Sequence, residues 1–200
     1  MTPYYSDDLV TIWHGDCREL MPALAANVAD LVLADPPYLE GDMSDTLDEM
    51  LRIGRKVVVT PGKQESFNWI RRRAPFWEYA WKCSGTSSLG GSACLHILFE
   101  PILAYHAPVR PLGSDLLDFP LVMDPTAKGH PWPKPLRLFT NLVAHFTLPN
   151  ALVLDPFMGT GTTLKAAREL GRRAIGIEIE ERYCEIAARR CSQEVLGLLA

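Results

Sequence analysis

Four consecutive residues, Asp35, Pro36, Pro37 and Tyr38, carry the groups needed to grip a planar base that has an exocyclic amine. The Asp35 carboxylate and the free backbone carbonyls of a proline-rich turn are hydrogen-bond acceptors, so together they can accept both hydrogens of an amino group. The Tyr38 ring can stack on the face of the base. The alternative is an ordinary strand end with a proline turn and a surface acid, because a match of four residues is a weak motif.

A second group of candidate residues follows an apolar run near the carboxyl terminus. The sequence Asp-Pro-Phe-Met-Gly-Thr-Gly-Thr-Thr starts at Asp155, and its glycines suit a backbone that approaches a ligand closely. Glu178 stands 23 residues after Asp155, at the end of the next predicted strand, where a carboxylate can accept both hydroxyls of a ribose. We therefore predict a cofactor site that contains Asp155, Phe157, Gly159, Gly161, Thr162 and Glu178.

A dinucleotide-binding site uses the same architecture and is the main alternative for this second group. Its fingerprint places glycines in the order G-x-G-x-x-G and exposes a helix amino terminus to a pyrophosphate. Here Leu164 occupies the third glycine position, and Asp-Pro-Phe precedes the turn. The pattern therefore disfavours a dinucleotide.

Parallel strands are needed to bring these residues together. Apolar runs predict buried strands at residues 9–14, 31–34, 56–60, 152–154 and 174–177, and helical periodicity predicts helices at 17–26, 136–146, 164–170 and 181–190. The first strand, helix and strand form a βαβ unit, which implies a parallel pair with a right-handed crossover. Asp35 and Glu178 are then expected at the carboxyl ends of strands, where open α/β sheets bind ligands.

The middle of the chain is less regular. We predict a helix near Thr46, a helix at 66–73, a strand at 77–82, a functional loop at 84–92, and strand material at 94–105 that is interrupted at Glu100-Pro101. Residues 108–135 are rich in proline and are predicted to be a connector that is poor in regular structure.

The chain resembles the beta class of S-adenosylmethionine-dependent DNA amino-methyltransferases, which methylate adenine N6 or cytosine N4. Asp-Pro-Pro-Tyr is similar to the family motif that precedes the target base, and the nine residues from Asp155 are similar to its cofactor loop. Residues 99–105 (Phe-Glu-Pro-Ile-Leu-Ala-Tyr) and 130–135 (His-Pro-Trp-Pro-Lys-Pro) are close to two further family patterns. The base motif precedes the cofactor motif, which is the circularly permuted order of the beta class, and the likeness covers nearly the whole chain.

This resemblance implies a fold and a set of roles. The expected fold is α/β: a single Rossmann-like methyltransferase domain over residues 1–200, circularly permuted, with a mostly parallel seven-stranded sheet and helices on both faces. The cofactor is expected to be S-adenosyl-L-methionine, with Asp16 at its adenine and Lys134 at its methionine end, and no metal is required. The catalytic residues are expected to be Asp35, Pro36, Pro37 and Tyr38. Without the resemblance, Asp16 is interpreted as a helix N-cap.

The target and its recognition are also expectations from the resemblance. Asp rather than Ser in the first position of the base motif favours adenine N6 in DNA, with cytosine N4 as second choice. Residues 107–129 form a short connector where the family carries a sizeable target-recognition region. We therefore expect low sequence specificity, a very short site, or recognition supplied by a homodimer or a partner.

Composition limits the alternatives. At 200 residues, 48% apolar and 22% charged, the chain fits one globular domain without an apolar run near the roughly 20 residues of a membrane span. Its acidic amino terminus lacks a signal core, so we expect a cytoplasmic protein. Five cysteines without a Cys-x-x-Cys pair argue against a disulfide framework, a zinc site and a zinc deaminase.

Charge is distributed unevenly along the chain, whose net charge is -4. Residues 1–50 carry eleven acids and one base, whereas residues 51–82 carry eight bases and two acids, interleaved with aromatic residues. This basic block is either a surface that faces DNA phosphates or a helix packed on the acidic first quarter.

Two other functions remain as alternatives. A non-catalytic DNA-binding or partner-binding module would be marked by loss of Asp35, Tyr38 or the glycine turn, and all three are present. An RNA or protein-glutamine methyltransferase is disfavoured because the related enzymes that act on glutamine carry Asn in place of Asp35.

Overall fold

The apolar runs of the sequence become strands of one twisted sheet in a computed structural model of the chain. The structure describes residues 2–37, 44–62, 69, 72–82, 99–106, 114–120 and 134–192. Tyr38, the predicted loop at 84–92 and residues 130–133 lie outside the described residues, as does most of the helix predicted at 66–73.

In the described ranges the sheet has nine strands. They are β1 Tyr5–Ser6, β2 Val10–His14, β3 Leu31–Ala34, β4 Val57–Val59, β5 Trp77–Lys82, β6 Phe99–Tyr105, β7 Leu116–Asp118, β8 Leu152–Asp155 and β9 Arg173–Glu178. The order across the sheet is β1-β2-β9-β8-β3-β4-β6-β5-β7. The central strands β2, β9, β8, β3 and β4 are parallel, whereas β6 is antiparallel to both β4 and β5.

Helices cover both faces of the sheet. Those whose bounds the structure describes are α1 Cys17–Leu20, α2 Ser44–Ile53, α3 Leu136–Phe146, α4 Thr162–Glu169 and α5 Glu181–Ser192. Leu31 and Leu33 of β3 pack in the core that contains α3, α4 and α5, and Val32 and Ala34 pack in the core that contains α1 and α2. β3 is therefore buried on both faces, as its continuous apolar run predicts.

The predicted number of strands is wrong: seven were expected and nine are present. The difference is the two edge strands β1 and β7, which have two and three residues. Strands this short are below the length at which an alternating pattern can be recognised. β7 also places regular structure within the segment at 108–135 that was predicted to be poor in it.

The prediction that Pro101 interrupts a strand is also wrong, because β6 continues through it. Its cross-strand neighbour in β5 is Ala80, whose N–H points away from β6 and donates to the carbonyl of Asp115. Ala80 and Pro101 are therefore a pair that exchanges no hydrogen bond. On the other side of β6, β4 has already ended at Val59. The missing N–H of the proline therefore leaves no ladder bond unmade.

The helix predicted at 17–26 is shorter than expected. α1 ends at Leu20 and a single 3-10 turn follows at Met21–Ala23. Pro22 explains the change, since proline has no N–H for a helical hydrogen bond and restricts the residue before it.

Close packing of α5 on the turn before α4 yields a stability prediction. Gly161 has φ of +80°, and a Cβ atom there would lie 2.8 Å from Cβ of Ala187, whereas Gly171 has φ of +69° and a Cβ there would meet nothing within 4 Å. Gly161→Ala should therefore lower the free energy of unfolding by about 1–3 kcal/mol more than Gly171→Ala does. Urea unfolding of the two variants tests this, and equal losses would contradict it.

Candidate active site

A cavity of about 600 Å³ lies at the carboxyl ends of β2, β9, β8 and β3. Residues predicted from both ends of the chain line it: Asp16, Asp35, Pro36, Pro37, Lys134, Asp155, Phe157, Gly159, Thr162 and Glu178. Residues 35–37, which we call the acid-proline corner, come from the first quarter of the chain, and residues 155–163, which we call the glycine turn, come from the last quarter. Both segments therefore face the same cavity.

Gly161 is the exception among the predicted residues that the structure describes, because it does not line the cavity. Its lack of a side chain serves helix packing, since α5 approaches it through Ala187. Gly159, with φ of +51°, is the glycine of the turn that borders the cavity.

Asp155 fixes the conformation of the glycine turn from inside the protein. Its Oδ1 accepts the backbone N–H of Phe157 at 2.9 Å, and its Oδ2 accepts the hydroxyl of Thr163. The residue is 2% exposed, and burial raises the pKa of its carboxyl to about 7, with the nearby charges of Asp35 and Glu178 acting in the same direction.

Glu178 links the end of β9 to the glycine turn. Its Oε2 accepts the N–H of Gly159 at 2.9 Å and its Oε1 accepts the N–H of Glu180 at 2.8 Å. Burial raises the pKa of this carboxyl too, although the backbone hydrogen bonds oppose the shift. A carboxylate oxygen has more than one acceptor site, so both oxygens can still accept a ribose hydroxyl.

Asp16 caps a helix and borders the cavity at the same time. Its Oδ1 accepts the N–H of Arg18 at 2.9 Å, which caps α1, and its Oδ2 pairs with the Arg18 guanidinium at 2.6 Å. These contacts hold the pKa of Asp16 below its usual value. The interpretation of Asp16 as an N-cap is thus confirmed, and its place in the cavity lining leaves a cofactor role open to it.

Asp35 is held by side chains from neighbouring elements. The hydroxyl of Thr60 donates to its Oδ1 at 2.7 Å, and Nζ of Lys134 lies 3.5 Å from the same oxygen. Lys134 also binds Oε2 of Glu100 at 2.6 Å. Sequence reasoning assigned no role in the site to Thr60 or Glu100, although both stand at the edge of the sheet that carries Asp35, where β4 ends and β6 begins.

The basic block is partly neutralised where the structure describes it. Arg72 lies 2.6 Å from Asp48 and 3.4 Å from Asp45, both on the acidic helix α2. This contact corresponds to the packing alternative rather than to a phosphate-facing surface. Two aromatic residues within the block, Phe76 and Trp77, are exposed.

Two further features concern the described residues alone. None of the helices they form is both long and apolar enough to cross a membrane. They contain no group of three or more His, Cys, Asp or Glu side chains that could hold a metal ion.

The fold and the cavity at the carboxyl edge of the sheet can be compared with a solved structure of the methyltransferase class. TTHA0409 of Thermus thermophilus, described as a DNA modification methylase and solved in complex with S-adenosyl-L-methionine, is 25% identical, has a TM-score of 0.71, and the match covers 94% of this chain and 95% of that one. The predicted fold class and cofactor agree with this relative.

The particular family follows from the sequence match. Residues 76–189, more than half of the chain, match the profile described as DNA methylase of the N6/N4 type, and the chain belongs to this family of DNA amino-methyltransferases. M2.LlaDCHI, a type II methyltransferase of Lactococcus lactis subsp. cremoris, is 41% identical over 96% of this chain and 92% of its own length. YubD of Escherichia coli (strain K12), described as a methylase, is 31% identical over 88% of this chain and 87% of its own length.

Burial of Asp155 makes stability depend on pH in a defined direction. In the folded chain the pKa of Asp155 is about 7, whereas in the unfolded chain it has the ordinary value of about 3.9. Between these two pH values the Asp155 carboxyl is protonated in the folded chain and ionised in the unfolded chain. The folded state then binds more protons, so this residue's contribution to stability is complete at low pH and is lost as pH rises to about 7. Asp155→Asn should remove that loss, flattening the decline in unfolding free energy by up to about 1.4 kcal/mol per pH unit.

Urea unfolding at several pH values between about 5 and 7 measures this difference. Asp45→Asn is the control, since the Asp45 side chain is 99% exposed. Parallel curves for the wild type and Asp155→Asn would contradict the assigned environment of Asp155.

Proposed function

We propose that the chain transfers a methyl group from S-adenosyl-L-methionine to N6 of an adenine that has been flipped out of duplex DNA. The observation that carries this proposal is the meeting of Asp35 and the glycine turn at one cavity. An amine that is paired within the helix cannot reach such a cavity, so the base must leave the stack at a cost of a few kcal/mol.

The cofactor half of the cavity is assigned to the residues that follow β8 and β9. Glu178 accepts ribose hydroxyls, the backbone at Gly159 and the side chains of Phe157 and Thr162 contact the remainder, and Asp16 lies toward the adenine. When bound, the cofactor supplies an electrophilic methyl group on a sulfonium ion.

The base half is assigned to the acid-proline corner. The Asp35 carboxylate and the Pro36 carbonyl accept the two amine hydrogens, which favours a pyramidal nitrogen and directs its lone pair at the methyl carbon. As the nitrogen–carbon bond forms, Asp35 accepts the proton that the nitrogen loses, and the electron pair of the broken sulfur–carbon bond remains on sulfur. Asp35 also stabilises the positive charge that develops on the amine.

Pro37 and Tyr38 complete this half. Two successive prolines restrict the backbone, which keeps the corner in one geometry. Tyr38 is proposed to stack on the flipped base and hold it within reacting distance. Adenine is placed first because Asp rather than Ser begins the motif, and cytosine N4 is the second candidate.

Limited sequence recognition is part of the proposal. The alignment with M2.LlaDCHI runs over 254 positions although this chain has 200 residues, so that relative carries residues which the chain lacks. The short connector at 107–129 supports the view that the missing residues belong to target recognition. A short site, or help from a second copy or a partner, is therefore proposed.

Digestion of methylated DNA to nucleosides tests the assignment of the base. The purified chain, incubated with S-adenosyl-L-methionine and unmethylated DNA of mixed sequence, should yield N6-methyladenine when the nucleosides are identified by mass spectrometry. N4-methylcytosine alone would overturn the adenine assignment, and methylation of neither base would overturn the proposed activity.

Two variants separate the halves of the cavity in the same assay. Asp35→Ala should abolish methyl transfer and leave the dissociation constant of the cofactor within about twofold, because it removes an amine acceptor. Glu178→Ala should weaken cofactor binding first, by about tenfold or more, because it removes a charged acceptor. Weaker cofactor binding in Asp35→Ala with unchanged binding in Glu178→Ala would show that the two halves are assigned in reverse.

A further inference from the structure

Lys134 connects the acid of the base site to a second acid, Glu100. Its Nζ lies 3.5 Å from Oδ1 of Asp35 and 2.6 Å from Oε2 of Glu100. The three residues come from the end of β3, the start of β6 and the segment before α3. The contact therefore depends on the assembled sheet and not on neighbouring positions in the chain.

Packing holds the lysine in this place. Its side chain is 9% exposed, and Nζ lies 5.4 Å from the centroid of the Trp81 ring, a distance at which an ammonium ion is attracted to an aromatic face. Trp81 is itself buried, and its Nε1 donates to the carbonyl of Phe119 at 2.8 Å. Burial of an ammonium ion is costly unless carboxylates accompany it.

The balance of charge favours a role in the reaction. One ammonium between two carboxylates leaves the trio with a net negative charge beside the cavity. The shorter contact belongs to Glu100, so Lys134 orients Asp35 without neutralising it by itself. A net negative trio stabilises the positive charge that develops on the amine, whereas an exclusive pair of Lys134 with Asp35 would not.

We propose that Lys134 and Glu100 are positioning residues that hold the Asp35 carboxylate toward the target amine and keep it an effective acceptor. This inference rests on the proposed function and deepens it. It differs from the expectation that Lys134 binds the methionine end of the cofactor, because it predicts an effect on the chemical step and not on cofactor binding.

Single-turnover kinetics at saturating cofactor and DNA, together with cofactor binding by calorimetry, distinguish these roles. Lys134→Met should slow methyl transfer by about 10- to 100-fold, since the two carboxylates then repel each other and Asp35 loses its alignment. Glu100→Gln should slow it by about tenfold, because Lys134 is left to neutralise Asp35. Both should leave the dissociation constant of the cofactor within about twofold, and Lys134→Arg should recover part of the lost rate because it restores the charge.

Arg168→Met is the matched control for the loss of a half-buried ion pair. Arg168 pairs with Asp7 at 2.6 Å, with side-chain exposures of 23% and 26%, at the opposite edge of the sheet from the cavity. It should lower the melting temperature without lowering the rate in the fraction that remains folded. Thermal melts of every variant identify any that fail to fold.

Three outcomes would count against the inference. A cofactor dissociation constant raised tenfold or more in Lys134→Met, with an unchanged rate at saturation, would assign Lys134 to the cofactor. Unchanged rates in both Lys134→Met and Glu100→Gln, while Asp35→Ala is inactive, would overturn this inference alone. Full activity of Asp35→Ala would overturn the proposed function and this inference together.

Discussion

The register of β3 against β8 is the constraint on which the site depends. At the start of the pair, the N–H of Asp30 donates to the carbonyl of Leu152 at 2.9 Å, and the N–H of Leu152 donates to Oδ2 of Asp30 at 2.9 Å. This double contact joins residues that are 122 positions apart in the chain. These contacts, together with the pairing of Leu31 with Val153 and of Val32 with Leu154, set the register, and Asp35 and Asp155 therefore leave the sheet at the same edge.

Electrostatics then give that edge its chemical character. Asp35, Asp155 and Glu178 line one cavity, where their oxygens accept hydrogen bonds from backbone N–H groups and hydroxyls and lie near one ammonium. Burial raises the pKa values of Asp155 and Glu178. In the proposed mechanism, the Asp35 carboxylate stabilises the amine as it becomes positively charged.

Much of this arrangement could be predicted from sequence because local rules agree with the fold. The apolar run of β3, the alternation in β5 and the amphipathic period of α3 each gave the observed bounds. Pro101 was wrongly predicted to interrupt a strand. The strand can contain this proline because β4 ends before reaching it, which is a property of the assembled sheet. Gly161 fits the glycine motif of the cofactor loop, yet it faces Ala187 of α5, so a motif position does not by itself reveal which neighbour requires the glycine.

Residues that support Asp35 were missed for a similar reason. Thr60 and Glu100 lie far apart in the chain and belong to no shared spacing pattern, and Lys134 was predicted in the site only at the methionine end of the cofactor. A prediction could find them only by placing polar residues at one edge of the correct strand order, which the sequence alone did not provide.

A crystal structure of the chain with S-adenosyl-L-methionine bound tests the central claim most directly, through the distance from the donor methyl carbon to the nearest Asp35 carboxylate oxygen. We predict a distance of about 4–6 Å with the methyl group directed at Asp35, which leaves room for one amine nitrogen within hydrogen-bonding distance of Asp35 and reacting distance of the methyl carbon. A methyl group directed away from Asp35 would contradict this prediction. So would a distance well above about 6 Å, because one amine nitrogen could not then make both a hydrogen bond to Asp35 and a reacting contact with the methyl carbon.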